Sequence, residues 1–225
     1  MTTAHALETV RPAGLPPGTA LRAALRDLYA HSWRFFLLNA ALSACLVPLA
    51  VAGFWAPPVW LLLLAGGPLA AALVHCAVVT ARTGELRLRE ALTGLRLHWR
   101  RGLLLGAVFA GLTAAGAYAV AFYGHRGALV LAVLAVYLLL ALLVLQLVLW
   151  PLAVADPDRP LRFVLEDALR TVLARPLQAL GLTLALALVN QLGLALAVAP
   201  FLTLTIAYSF LAAAHFALPA QEADD

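Results

Sequence analysis

Four long stretches of this chain, residues 35–80, 102–124, 127–155 and 176–218, contain no Asp, Glu, Lys or Arg. Asp156 lies just past the third, and Arg126 sits in the short gap between the second and third. A bilayer is crossed by about 20 predominantly apolar residues in a helix, and each stretch reaches or exceeds that length. Soluble domains carry about a quarter charged residues, whereas this chain has 12% charged and 64% apolar residues. With a mean hydropathy of +0.95, a soluble fold of this size has too little interior to hide the apolar surface. The expected fold class is therefore all-α, a polytopic membrane helix bundle. Charges inside a bilayer usually mark function, and these stretches hold none, so the sequence speaks to architecture more than to chemistry.

Length divides the stretches into six spans, at 35–54, 59–80, 102–123, 128–150, 177–198 and 201–218. Trp55, Pro57, Pro58 and Trp60 mark an interfacial turn after the first span, and Pro151 closes the fourth. The final apolar run is too long for one crossing, and Pro200 suits a turn within it. The reading is three transmembrane hairpins with amphipathic cytoplasmic helices between them. Residues 1–19 read as a flexible N-terminal segment, 20–218 as a single membrane domain, and 219–225 as an acidic tail with Glu222, Asp224 and Asp225. The N-terminal segment has Pro12, Pro16 and Pro17 and lacks the apolar core of a secretory signal. The first span is expected to act as an uncleaved signal anchor.

Arginine placement sets the orientation. With the N-terminus inside, fourteen of the fifteen basic residues, all Arg, face the cytoplasm, and only Arg126 lies outside. Basic residues concentrate in cytoplasmic loops. Both termini are therefore expected in the cytoplasm, in a multi-pass protein of a bacterial cytoplasmic membrane.

Each odd-numbered span follows an amphipathic segment. Leu88, Ala91, Leu92, Leu95 and Trp99 share one helical face, flanked by Arg89, Arg96 and Arg100. Leu161, Leu165, Ala168, Leu169 and Val172 form another, set against Glu166 and Arg170, with Asp158 and Pro160 suited to its start. Residues 20–33 repeat the theme with Leu21, Leu25 and Leu28 against Arg22 and Arg26. The recurrence at 20, 86 and 161 suggests a triplicated helix-plus-hairpin unit. Arg89, Arg96, Arg100, Arg162 and Arg170 are candidates for docking a partner or the anionic lipid surface. The plainer reading makes these segments connectors that anchor the hairpins.

Gly66, Gly67 and Pro68 interrupt the second span, and a broken helix exposes carbonyls that transporters use for substrates. The plainer reading, and the favoured one, is a packing kink, since transmembrane helices tolerate Gly and Pro. Asn39, His75, Gln146, Asn190, Gln191 and His215 are the bulkier polar residues within spans. Of these, Asn39, His75, Asn190 and Gln191, with Gly67 and Pro68, form a candidate solute path. The simpler alternative is interhelical hydrogen bonding. His75, Cys76, Cys45 and His215 have no ligand spacing, so no metal site is expected. Gly102, Gly106, Ala110 and Ala114 form a ridge of small residues that allows close helix contact, within the chain or with a second copy.

The chain has no Lys, which excludes Schiff-base and phosphate-loop lysines. No nucleophile–base–acid set is visible, and Asp156 and Asp158 flanking Pro157 read as a turn. No enzymatic activity, no cofactor and no nucleic-acid partner is expected.

Several marks carry a family resemblance. Leu38 and Asn39 open the first span; Gly67 and Pro68 precede Ala70 and Ala71; Gly84 follows the second span. Trp150 and Pro151 close the fourth, Ala168 and Pro176 follow, and Pro200 and Tyr208 come later. Their order over residues 20–218 resembles the YesL-like family of small bacterial membrane proteins, although the stretch 55–64 before Gly67 is longer than that pattern. The resemblance implies an integral membrane protein without an established activity, associated with carbohydrate uptake and breakdown systems. It supplies no catalytic residues.

The expected function is accessory: a non-enzymatic membrane component of a carbohydrate-related transport system, with the bilayer and transporter subunits as partners. The alternative is a stand-alone permease or channel for a small neutral solute.

Overall fold

The computed structural model describes residues 14–56, 64–196 and 204–219. The described residues form helices α1 (Pro17–Ala30), α2 (Ser32–Trp55), α3 (Gly66–Thr83), α4 (Arg89–His125), α5 (Leu129–Ala155), α6 (Leu161–Ala174), α7 (Pro176–Leu196) and α8 (Ile206–Ala217). The all-α expectation is met. Four helices, α2, α4, α5 and α7, are long and apolar enough to cross a membrane. The turn placed at Pro200 and the start of the span placed at residue 59 lie outside the described residues.

Three helices form the centre: α3, α5 and α8 each pack against the other two. The closest contact is between α3 and α4, and glycine makes it possible. A Cβ on Gly67 would lie 2.2 Å from the Gly102 carbonyl oxygen, and one on Gly106 would lie 2.8 Å from the Gly67 Cα. The Gly102–Gly106 half of the small-residue ridge is thus spent within the chain, against α3. Ala110 and Ala114, further along the ridge, are exposed. Of the two partners left open for the ridge, α3 of the same chain is the one that meets Gly106.

The short amphipathic helices follow a cyclic order. α1 packs on α8, the first part of α4 packs on α3, and α6 packs on α5. Arginines close the cycle at one end of the bundle. Arg34, early in α2, donates to the carbonyl of Leu86, just before α4. Arg101 donates to Arg159, just before α6, and also to Ala153 at 2.8 Å and Asp156 at 2.7 Å. Arg175, before α7, donates to Gly14, just before α1, at 3.0 Å. The last carbonyls of any helix lack intrahelical partners. Arg101, with Arg82 donating to Ala155 at 3.4 Å, supplies them for α5.

Two sequence expectations change. The segment 86–100 is not a separate helix: α4 runs unbroken for 37 residues, about 55 Å at 1.5 Å per residue. No proline interrupts it, and Arg100 and Arg101 favour helix. By contrast, α6 ends at Arg175 (φ −140°) because Pro176 opens α7 and disfavours helical geometry in the residue before it. Asp158 makes no capping hydrogen bond, since Pro160 occupies the N-cap position of α6. Gly66–Gly67–Pro68 does not break a described helix. It opens α3, and Pro68 falls in the first turn, where its missing N–H costs little.

Leucine at Gly106 should therefore wedge α3 from α4, costing about 1–3 kcal/mol. Leucine at Gly111, where a Cβ meets nothing within 4 Å, should be close to neutral. Thermal melting in mild detergent measures both, and the Gly106→Leu variant should keep the wild-type oligomeric state.

Candidate functional site

All three central helices line one cavity of about 460 Å³, completed by α4 and α7. Its wall is mostly apolar, with Phe109, Leu147, Leu186 and Phe210, and its polar groups are Gln146, Trp150, Thr183, Asn190 and Ser209. Among the described residues, no charged one lines it. Gly67 and Gly106 border it.

Hydrogen-bond accounting fixes the polar wall. The Ser209 hydroxyl donates to the Thr205 carbonyl at 2.8 Å, which commits its one hydrogen. Towards Asn190 it therefore accepts, from Nδ2 at 3.0 Å. The Asn190 carbonyl oxygen is left over, buried and with no hydrogen-bond partner among the described residues. Such an oxygen costs about 1–3 kcal/mol while unsatisfied. Thr183 is already used, donating to Ala179 at 2.8 Å. The site is thus a mostly apolar, partly open pocket whose Ser209 and Thr183 hydroxyls are committed within the chain.

Of the residues read as a solute path, Gly67 and Asn190 meet at this cavity. The other four lie elsewhere. Asn39 is buried within α2, Pro68 packs beside Gly102, and Gln191 is exposed. His75 faces the first part of α4, 3.3 Å from the His98 ring nitrogen and 3.9 Å from Glu90. Thr183 and Ser209 escaped the sequence reading, because a lone hydroxyl in an apolar helix bonds back to its own backbone and resembles packing. Cys45 is exposed, Cys76 is buried, and among the described residues no three His, Cys, Asp or Glu side chains gather as metal ligands. The docking candidates Arg89, Arg96, Arg100, Arg162 and Arg170 are all exposed.

A second polar pairing was also missed. Asp27 of α1 is buried and lies 2.8 Å from His215 of α8. Nearby, the Tyr208 hydroxyl donates to the Leu21 carbonyl at 3.2 Å, and the Leu15 amide donates to the His215 carbonyl at 2.9 Å. Burial pushes the Asp27 carboxyl up, but the hydrogen bond and charge of His215, helped by Arg26, outweigh burial and hold it below its ordinary range. This pairing fastens α1 to the bundle.

The apolar lengths of α2, α4, α5 and α7 are compatible with a multi-pass membrane protein, and the uncharged cavity lies among its central helices. No family model, no curated protein and no solved structure matches this chain.

Because the Asp27 carboxyl is lowered in the fold, its contribution to α1 docking is full above its ordinary value of 3.8 and is lost as pH falls through the lower folded value. Hydrogen-exchange protection of α1 should decline in that acid window. Asp27→Leu should lose about 2 kcal/mol of protection already at neutral pH, since it strands His215 without its partner.

Proposed function

We propose that the chain is a non-enzymatic, six-span protein of a bacterial cytoplasmic membrane that serves a carbohydrate-related transport system as an accessory or assembly component. Helices α2, α4, α5 and α7 supply four of the spans. α3 and α8 belong to the other two, in three hairpins with both termini in the cytoplasm. The YesL-like resemblance supports the association with carbohydrate systems.

The observation that carries this reading is a division among the arginines. Arg34, Arg101 and Arg175 are spent on backbone carbonyls within the bundle. Arg89, Arg96 and Arg100 on α4, and Arg162 and Arg170 on α6, are exposed. Leu92 and Trp99 on α4 and Leu165 and Leu169 on α6 are exposed beside them. Basic and apolar groups side by side on a cytoplasmic face suit a membrane-transporter subunit, or the anionic lipid around it.

A second reading, a permease for a small neutral solute, is favoured by the uncharged cavity between the central helices. Flux of labelled sugars in proteoliposomes separates the two readings, because an accessory protein alone conducts none.

Two outcomes are expected. Arg89→Glu, Arg96→Glu and Arg100→Glu together should reduce co-purification of transporter subunits from native membranes severalfold, while melting stays near wild type because these side chains are exposed; recovery at the wild-type level would remove α4 as the docking surface. In a Cys45→Ser, Cys76→Ala background, cysteine placed at Glu85 or Asp158 should react with membrane-impermeant maleimide only after the cells are opened. Cysteine at Arg126 should react in intact cells, and the reverse pattern would invert the orientation.

A further inference from the structure

The first part of α4 lies on α3 mainly through histidine, not through the leucines of its amphipathic face. Leu92, Leu97 and Trp99 are exposed, whereas Gly94 and His98 are buried. Glu90, Gly94 and His98 follow one another at single-turn spacing on one helix face, and all three meet one residue of α3, His75. The Glu90 carboxylate lies 3.9 Å from the His75 Nε2 atom. A Cβ on Gly94 would lie 2.7 Å from the His75 Cβ, and the His98 Nε2 atom is 3.3 Å from His75 Nδ1. We propose that residues 89–98 form a proton-responsive arm, held on α3 at neutral pH and loosened in mild acid, because the facing nitrogens of His75 and His98 have room for one hydrogen and not for two. The arm carries Arg89, Arg96 and Arg100, but its response to protons is independent of what docks there.

A neutral imidazole carries one ring hydrogen and an imidazolium two. The carboxylate beside His75 Nε2 favours a hydrogen there, so His75 Nδ1 accepts and His98 Nε2 donates. The remaining nitrogen, His98 Nδ1, is buried without a hydrogen-bond partner among the described residues. One added proton has a place: His75 becomes a cation beside Glu90 and donates through Nδ1 to His98 Nε2, whose own hydrogen moves to Nδ1. A second puts hydrogens on both facing nitrogens, leaves no acceptor between them, and sets two cations together where burial already penalises one. Among the described residues, the charged groups acting on the pair are Glu90 and Arg101, both on α4, and Arg101 adds to the repulsion. Helices α1, α2, α5 and α8 also pack on α3 and bring none. Cys76, the chain neighbour of His75, is a buried thiol, uncharged in acid.

Burial, followed by the charges of His75 and Arg101, pushes the His98 imidazole down to about 4 from 6.5. In the loosened arm the ring takes its proton at the ordinary value. The hold this group gives is therefore full above 6.5 and is lost as pH falls towards about 4. Between pH 7.5 and 5.5, the opening of the arm should rise about tenfold from His98 alone.

Hydrogen exchange of the full chain in phosphatidylcholine vesicles, corrected for the intrinsic effect of pH on amide exchange, measures that opening. Protection over residues 89–98 should fall about tenfold across this range, while protection over α6, which carries no histidine, should hold. His98→Gln removes the titrating ring, yet offers a donor to neutral His75 and an acceptor to charged His75; it should flatten the response. His125→Gln, at the exposed far end of the same helix, should leave the response in place. If His98→Gln does not fold, the wild-type comparison of the arm with α6 carries the test. A flat wild-type profile over residues 89–98, an equal fall over α6, or a fall that persists in His98→Gln would overturn the proposal.

Discussion

Backbone carbonyls at the arginine-rich end of the bundle need donors, and arginine supplies them across units rather than within them. Arg34, Arg101 and Arg175 each sit near the start of a long apolar helix or helical stretch and reach the segment before the next short helix. The third reaches back to the segment before the first, so the contacts form a ring. A charged donor makes a stronger hydrogen bond than a neutral one, and the guanidinium can serve several acceptors at once, as Arg101 does. The ring positions the short helices, each lying on a central helix of the preceding unit. The central triplet of α3, α5 and α8, and with it the cavity, depends on that placement.

The ring also separates two roles that one residue type plays here. Counted by sequence, the arginines read as one population of loop charges. In the fold, some are structural donors to carbonyls and others project outward from α4 and α6. Charge alone does not distinguish them. What does is whether a carbonyl left over at a helix end lies within reach, and that is set by contacts far apart in the chain.

Much of the architecture was legible because its signal is local. Long uncharged runs specify apolar helices, and Pro176 specifies the break between α6 and α7. The continuity of α4 was less visible: the change from a basic to an apolar surface near Gly102 alters what surrounds the helix, not the helix itself. The Asp27–His215 pair was hidden for a different reason. Asp27 looks solvated in its own segment, beside Arg22 and Arg26, and its partner lies 188 positions away. The same holds for the ridge at Gly102 and Gly106, whose spacing shows that something packs closely but not what. At the cavity, Asn190 stood out as an amide in an apolar helix. Thr183 and Ser209 did not, and the direction in which Asn190 points became clear only from the committed hydroxyl of Ser209.

The docking of α1 has a consequence for the order of assembly. Its anchors, Tyr208 and His215, are synthesised 187 and 188 residues after the groups they hold, Leu21 and Asp27. During synthesis, the α3–α4 contact can form while α8 does not yet exist, whereas the contacts of α1 with Tyr208 and His215 cannot. The docking of α1 on α8 is thus completed only after the chain has been made through His215.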